Sequence, residues 1–242
     1  MTALGFLSPG HAAEDDYPRI EQLLGSDIRV DLAHTDAGGD AHGAGAPRAA
    51  VPAERLAAGM EGLRLAGAET LVWASTSGSF AHGWDGAQEQ VRALARLAGM
   101  PASCTSFAFV HAAREIGVRR VAVGATYPED VTALFADFLR AGGLEVTGTR
   151  SCGITAAEAA TWGEEDVLTL ARAADVPDAE AVLLPGTELR TAAHVALLEK
   201  VLAKPVLTAS QVTVWEGLRL ADRRVNAPTL GTLFTREPLV QA

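Results

Sequence analysis

Short apolar runs alternate with amphipathic stretches of helical period along this chain, and that alternation constrains the fold more than any other feature. The clearest strands are Leu4–Leu7, Asp27–Leu32, Thr70–Ala74, Arg120–Gly124, Leu144–Gly148, Ala181–Leu184 and Pro205–Thr208. Helical period marks Pro52–Ala66, Asp85–Ala98, Phe107–Ile116, Pro128–Ala141, Glu164–Ala174, Ala192–Leu202 and Gln211–Leu220. Strands that alternate with helices in this way build βα units around a parallel sheet. Pro128-Glu129-Asp130 opens its helix well, with proline in the first turn and acids against the helix dipole. Hydrophobic residues make up 48% of 242, enough apolar material for two lobes of ordinary size.

The pattern also repeats weakly. Leu4–Leu7 runs into Ser8-Pro9-Gly10-His11, much as Val121–Val123 runs into Gly124-Ala125-Thr126-Tyr127. Leu71–Ala74 leads to Ser75-Thr76-Ser77, and Val182–Pro185 leads to Gly186-Thr187-Glu188. Each half therefore places two loops of small residues at strand C-terminal ends, where open α/β sheets bind ligands. The expected architecture is α/β, with two halves of parallel sheet facing each other across one cleft. Residues 1–105 with 211–242 would form the N-terminal lobe and 106–210 the second.

Ser75-Thr76-Ser77-Gly78-Ser79 is the most informative loop. Its hydroxyls and backbone N–H groups suit an anion, and Gly78 allows close approach. The same residues also suit an ordinary strand–helix turn with capping hydroxyls. Tyr127 offers a phenol at a strand mouth, or simply packs before Pro128. Arg190 either meets a carboxylate or pairs with a surface acid. His11 lies in a loop that would face the cleft, whereas His34, His42, His82, His111 and His194 read first as surface or packing residues. Asp36–Pro47, rich in Gly and Ala, is either a lid over the cleft or a connector.

Several classes are disfavoured. A net charge of −10 repels phosphate backbones, so nucleic acid is not an expected partner. Cys104 and Cys152 make no disulfide framework and no zinc pattern, and both are expected as buried small hydrophobes. Phosphate-loop lysine, dinucleotide fingerprint and G-x-S-x-G elbow are all lacking. No apolar run reaches the roughly 20 residues of a membrane helix, and the expected location is cytoplasmic.

Taken in order, the loops resemble the maleate cis–trans isomerase and arylmalonate decarboxylase family of the aspartate/glutamate racemase superfamily. The carriers are Gly5–Pro9, Thr76–Phe80, Gly117–Val123, Tyr127–Val131, Gly153-Ile154-Thr155, Thr187–Thr191 and Ser210–Trp215. The resemblance implies an α/β fold of two Rossmann-like lobes with parallel sheets, related by a pseudo-twofold with a cleft between them, and a soluble enzyme without cofactor or metal that holds a small carboxylate or dicarboxylate. It implies an anion pocket of Thr76, Ser77, Gly78 and Tyr127, with a second carboxylate meeting the Pro9–Ala12 loop, Gly186 and the Thr187 amide. A homodimer is expected on the same ground.

The departures from the family are chemical. Its isomerases and racemases use two cysteines, and its decarboxylases keep the second; the corresponding positions here are Ser75 and Gly186. Serine does not ionise unaided, and glycine offers no proton. Thiol addition and two-base racemisation are thus disfavoured. Decarboxylation survives better, because its C–C cleavage needs stabilised negative charge and a proton from any nearby group. Glu188, Ser75 and His11 are the candidate catalytic groups. The alternative is a non-catalytic carboxylate-binding or regulatory protein on the same scaffold.

Overall fold

In the computed structural model, residues 1–25, 27–35 and 53–235 are described. The lid expected at 36–47, with His42, lies outside them.

Eight described strands form two parallel sheets. The first half runs β1 (Thr2–Ser8), α1 (Asp16–Leu24), β2 (Ile28–His34), α2 (Ala53–Leu65), β3 (Thr70–Trp73), α3 (Ser77–Phe80), α4 (Gly83–Ala98) and β4 (Ala102–Cys104). After α5 (Thr105–Glu115) come β5 (Arg120–Ala125), α6 (Glu129–Ala141), β6 (Glu145–Ser151), α7 (Ala156–Ala159), α8 (Glu164–Ala174), β7 (Ala181–Leu184), α9 (Val195–Leu202), β8 (Val206–Thr208) and α10 (Ala209–Leu220). Sheet order is β2-β1-β3-β4 in the first half and β6-β5-β7-β8 in the second. The orders are the same once renumbered, which is the repeat read from the loops.

Burial explains why these segments are strands. The central strands β1, β3, β5 and β7 are buried almost throughout. Covered on both faces, they must be continuously apolar, as Thr70-Leu71-Val72-Trp73 and Ala181-Val182-Leu183-Leu184 nearly are. The edge strands β2 and β6 are only partly buried and carry Arg29, Asp31, Glu145 and Arg150.

One hydrophobic core crosses between the halves, joining Phe6, Leu71 and Phe80 to Val123, Phe135, Leu183 and Leu207. Phe80, at the end of α3, packs on Phe135 of α6 at 5.2 Å between ring centroids and on Tyr127 at 5.9 Å. Helix α10 returns to the first half, where it packs on β3 and β4 and along α5. A smaller core of Val167, Leu170, Leu184, Leu198 and Val206 underlies α8 and α9.

Two cysteines behave differently from each other. Cys104 is buried as expected, but Cys152 is exposed, which corrects the sequence expectation. Cys152 directly follows β6, an edge strand with a partly solvated face, so no second layer covers it.

Candidate functional site

Four loops leave the C-terminal ends of β1, β3, β5 and β7. Three of them interlock through buried hydrogen bonds. After β3, Thr76 donates its hydroxyl to the Pro185 carbonyl at 2.8 Å. After β5, the Tyr127 phenol donates to that same carbonyl, also at 2.8 Å. The neighbouring Thr126 hydroxyl donates to Glu188 Oε1. Thr76, Thr126, Tyr127, Gly186 and Glu188 are all buried there. Residues far apart in sequence thus share one centre between the sheets.

The loop after β3 is held from below. Gly78 N donates to Ser75 Oγ at 3.1 Å, and Ser106 Oγ donates to the Thr76 carbonyl at 2.7 Å. Gln90 ties the loop to α4, accepting from Ser79 Oγ at 2.8 Å and donating to the Gly78 carbonyl at 3.0 Å. A β-carbon on Gly78 would lie 2.7 Å from both Ser75 Oγ and Trp73 Nε1. Only glycine fits there without displacement. Ser77 is buried at the start of α3.

Gly186 shows a second close approach. A β-carbon there would lie 2.7 Å from Glu188 Oε1 and 3.1 Å from Thr126 Oγ1. The Glu188 carboxylate therefore occupies the volume that a side chain at 186 would need. Burial first, and then the Glu188 charge, push the Tyr127 phenol well above its ordinary pKa, so it stays a proton-bearing donor. Burial pushes the Cys104 thiol up to about 11, and partial burial also raises Cys152. Neither thiol is set up to ionise near neutral pH.

The other sequence candidates lie apart from this centre or at its edge. Pro9 and Thr187 are half-buried on their loops. His11 is exposed, with Nδ1 3.3 Å from Glu14 Oε2 and its ring 3.9 Å from that of His34. Arg190 resolves to the surface-pair reading: its Nε donates to Asp15 at 2.9 Å.

Sequence reasoning missed Asp16. Its buried Oδ2 accepts from Thr191 N at 2.7 Å, Ala192 N at 3.1 Å and Ser210 Oγ at 2.8 Å. It thereby pins the loop after β7 to the start of α1. A signal existed, because Asp15-Asp16-Tyr17-Pro18 is the same mixture of acids and proline that marks the opening of α6.

Comparison with known proteins sets this geometry in a family. The arylmalonate decarboxylase profile matches residues 50–234. The chain belongs to the arylmalonate decarboxylase family. Arylmalonate decarboxylase of Bordetella bronchiseptica is 34% identical over 178 residues, covering 71% of this chain and 73% of that protein. Maleate isomerase of Geobacillus stearothermophilus is 24% identical over 139 residues, 56% of this chain and 55% of that one. Among solved structures, a glycine-to-cysteine variant of arylmalonate decarboxylase in its sulfate-associated form superposes with a TM-score of 0.80. It is 29% identical and covers 97% of this chain and 100% of its own. A Nocardia farcinica maleate cis–trans isomerase variant carrying a covalent succinylcysteine intermediate reaches a TM-score of 0.86 at 19% identity. It covers 98% of this chain and 99% of its own, and it speaks for the fold alone. The arylmalonate decarboxylase family fold is thus the one that brings these strand-end loops together. Among the described residues, no helix is long and apolar enough to cross a membrane.

Proposed function

We propose that this member of the family is a cofactor-independent carboxy-lyase for a small dicarboxylate, in which Glu188 replaces the second family cysteine as proton donor. The observation that carries the proposal is the approach of Glu188 Oε1 to the β-carbon position of Gly186, at 2.7 Å. The resemblance assigns position 186 to that cysteine. A carboxyl group reaching into the same volume from two residues along supplies an ionisable proton where glycine has none.

Arylmalonate decarboxylase, the relative at 34% identity, suggests the reaction class. One substrate carboxylate would be held by the loop after β3, with Thr76, Ser77 and the Gly78 backbone, and by Tyr127. For Thr76 and Tyr127 to serve, their hydroxyls turn from the Pro185 carbonyl to the ligand. The second carboxylate leaves as CO2. Its bonding pair stays on the α-carbon and spreads into the retained carboxylate, where donors stabilise the developing charge. Glu188, once protonated from solvent, passes that proton to the carbon and returns to a carboxylate. The sum is one dicarboxylate and one proton giving one monocarboxylate and CO2. Ser75, bonded to Gly78 N, shapes the anion loop. Pro9, Gly186 and Thr187 border the leaving carboxylate.

A carboxylate-binding role without turnover is the second reading. It draws on the two hydroxyls already satisfied by the Pro185 carbonyl, which hold the centre closed without a ligand.

Proton NMR in D2O with substituted malonates, maleate and aspartate-like acids separates these. The expected result is loss of a malonate with deuterium in the product, reduced about 100-fold or more in Glu188→Gln, the usual scale of general acid catalysis. Unchanged turnover in that variant sinks the assigned role. Tight dicarboxylate binding with no turnover in the parent protein establishes the binder instead.

A further inference from the structure

We propose that His11, Glu14 and His34 form a binding site for one divalent metal ion, with Zn2+ as the chemical match. The three residues lie on the loop after β1 and at the end of β2. His11 Nδ1 is 3.3 Å from Glu14 Oε2, and His34 Nε2 is 3.0 Å from the same oxygen. One ligand atom from each residue lies within 4.8 Å of the other two. Tetrahedral zinc with bonds of about 2.0–2.1 Å has ligand atoms about 3.3 Å apart, close to the two spacings to Glu14 Oε2.

The histidine geometry argues for a cation more directly. His34 Nδ1 lies 2.9 Å from the Gly10 carbonyl. A carbonyl can only accept, so Nδ1 donates there and Nε2 is the nitrogen that faces Glu14, 3.0 Å from its Oε2. The Nδ1–carbonyl bond is also the kind of contact that orients a metal-ligating imidazole. The rings of His11 and His34 stand 3.9 Å apart between centroids.

The ligand set selects the metal. Two imidazole nitrogens and one carboxylate oxygen suit Zn2+ better than the all-oxygen shells of Ca2+ or Mg2+. His11 and Glu14 are 64% and 48% exposed, and His34 is 23% exposed. The site thus opens to solvent, and a fourth position is left for water or a carboxylate.

Titration calorimetry of the full chain with ZnCl2, and with MgCl2 as contrast, tests this. The expected result is one Zn2+ per chain, no comparable Mg2+ heat, and a thermal midpoint that rises with Zn2+. Glu14→Gln and His11→Ala, both at exposed positions and therefore expected to fold, should each weaken Zn2+ at least about tenfold, the lower end of what perturbing a metal shell costs. His194→Ala, at a histidine paired with Glu164 elsewhere, should leave binding unchanged. Equal affinity in the parent, Glu14→Gln and His11→Ala proteins, or no Zn2+ binding in the parent, overturns the proposal. A drop in thermal midpoint on mutation with no Zn2+ dependence in any protein reduces the cluster to a loop staple and overturns it too.

Discussion

Gly186 and Glu188 share one volume: the backbone of the first, bare of a side chain, leaves the space that the carboxylate of the second fills, 2.7 Å from where a β-carbon would stand. Two residues apart, they face each other because Thr126, 62 positions earlier, fastens Glu188 Oε1 over the turn. The pair predicts its own genetics. Gly186→Cys alone must push Glu188 aside and break the Thr126 bond, at a cost of about 1–3 kcal/mol for overpacking. Adding Glu188→Gly to Gly186→Cys should return most of that stability. Urea denaturation of both proteins checks it, and a double variant no more stable than the single one would show that the clash is elsewhere.

Gly78 is constrained in the same way by stiffer neighbours. Its β-carbon would meet Trp73 Nε1 and Ser75 Oγ, both at 2.7 Å. Trp73 is a buried indole in β3 and has little room to yield. Gly78→Ala is therefore expected to lower stability by about 1–3 kcal/mol and to lengthen the bond from Gly78 N to Ser75 Oγ. A thermal melt measures the first. Amide exchange at residue 78 measures the second, and protection there should fall by more than at Leu71 in the strand.

The sheets were legible in the sequence and the centre only in part, for a physical reason. Strands buried on both faces have to be apolar at nearly every position, so β3 and β7 declare themselves. Strand β4 does not, because Ala102-Ser103-Cys104 is short and half polar and is a strand only because β3 pairs with it. Thr76, Tyr127 and Gly186 were legible because small and hydroxyl residues follow apolar runs at those points. Their meeting at the Pro185 carbonyl was not, since it depends on how two sheets pack. Asp16 was missed for the same reason: its partners lie about 175 to 194 residues away.

Asp16 yields a pH prediction. Burial raises its pKa above the ordinary 3.8, and hydrogen bonds from Thr191, Ser210 and Ala192 only partly offset this. A raised pKa means that the folded state binds the proton more tightly than the unfolded one. The contribution is thus full below about pH 3.8 and is lost as pH rises through the folded value. Asp16→Asn removes the titration while keeping an acceptor oxygen. Measured by urea from pH 3 to 7, its stability relative to the parent should climb with pH. Asp16→Ala should instead cost about 3 kcal/mol at neutral pH, because buried N–H groups of Thr191 and Ala192 lose their acceptor. A flat difference between Asp16→Asn and the parent across this range would refute the assignment.

Glu216 titrates with the opposite sign. It is fully buried on α10, where Ser103 Oγ donates at 2.6 Å, His111 Nδ1 lies at 2.9 Å, and Arg219 donates through Nε at 2.7 Å and its terminal nitrogen at 2.8 Å. Burial alone would raise its pKa, but the hydrogen bonds from Arg219 and His111, with their charges, outweigh burial and bring it down to about 2. A lowered carboxylate pKa contributes stability that is full above the ordinary 4.5 and is lost as pH falls towards 2. Glu216→Gln should therefore flatten the acid limb of the stability curve between pH 4.5 and 2. At pH 7 Arg219→Gln should cost about 3–5 kcal/mol, the scale for leaving a buried charge without its partner. The loss at neutral pH should be smaller for Glu216→Gln, because the cation it leaves behind, Arg219, is partly exposed and its charge can return to water. Denaturant melts of the two variants at pH 3 and pH 7 decide the order. Equal losses at pH 7, or a parent acid limb that survives in Glu216→Gln, would place the acid sensitivity of this fold elsewhere.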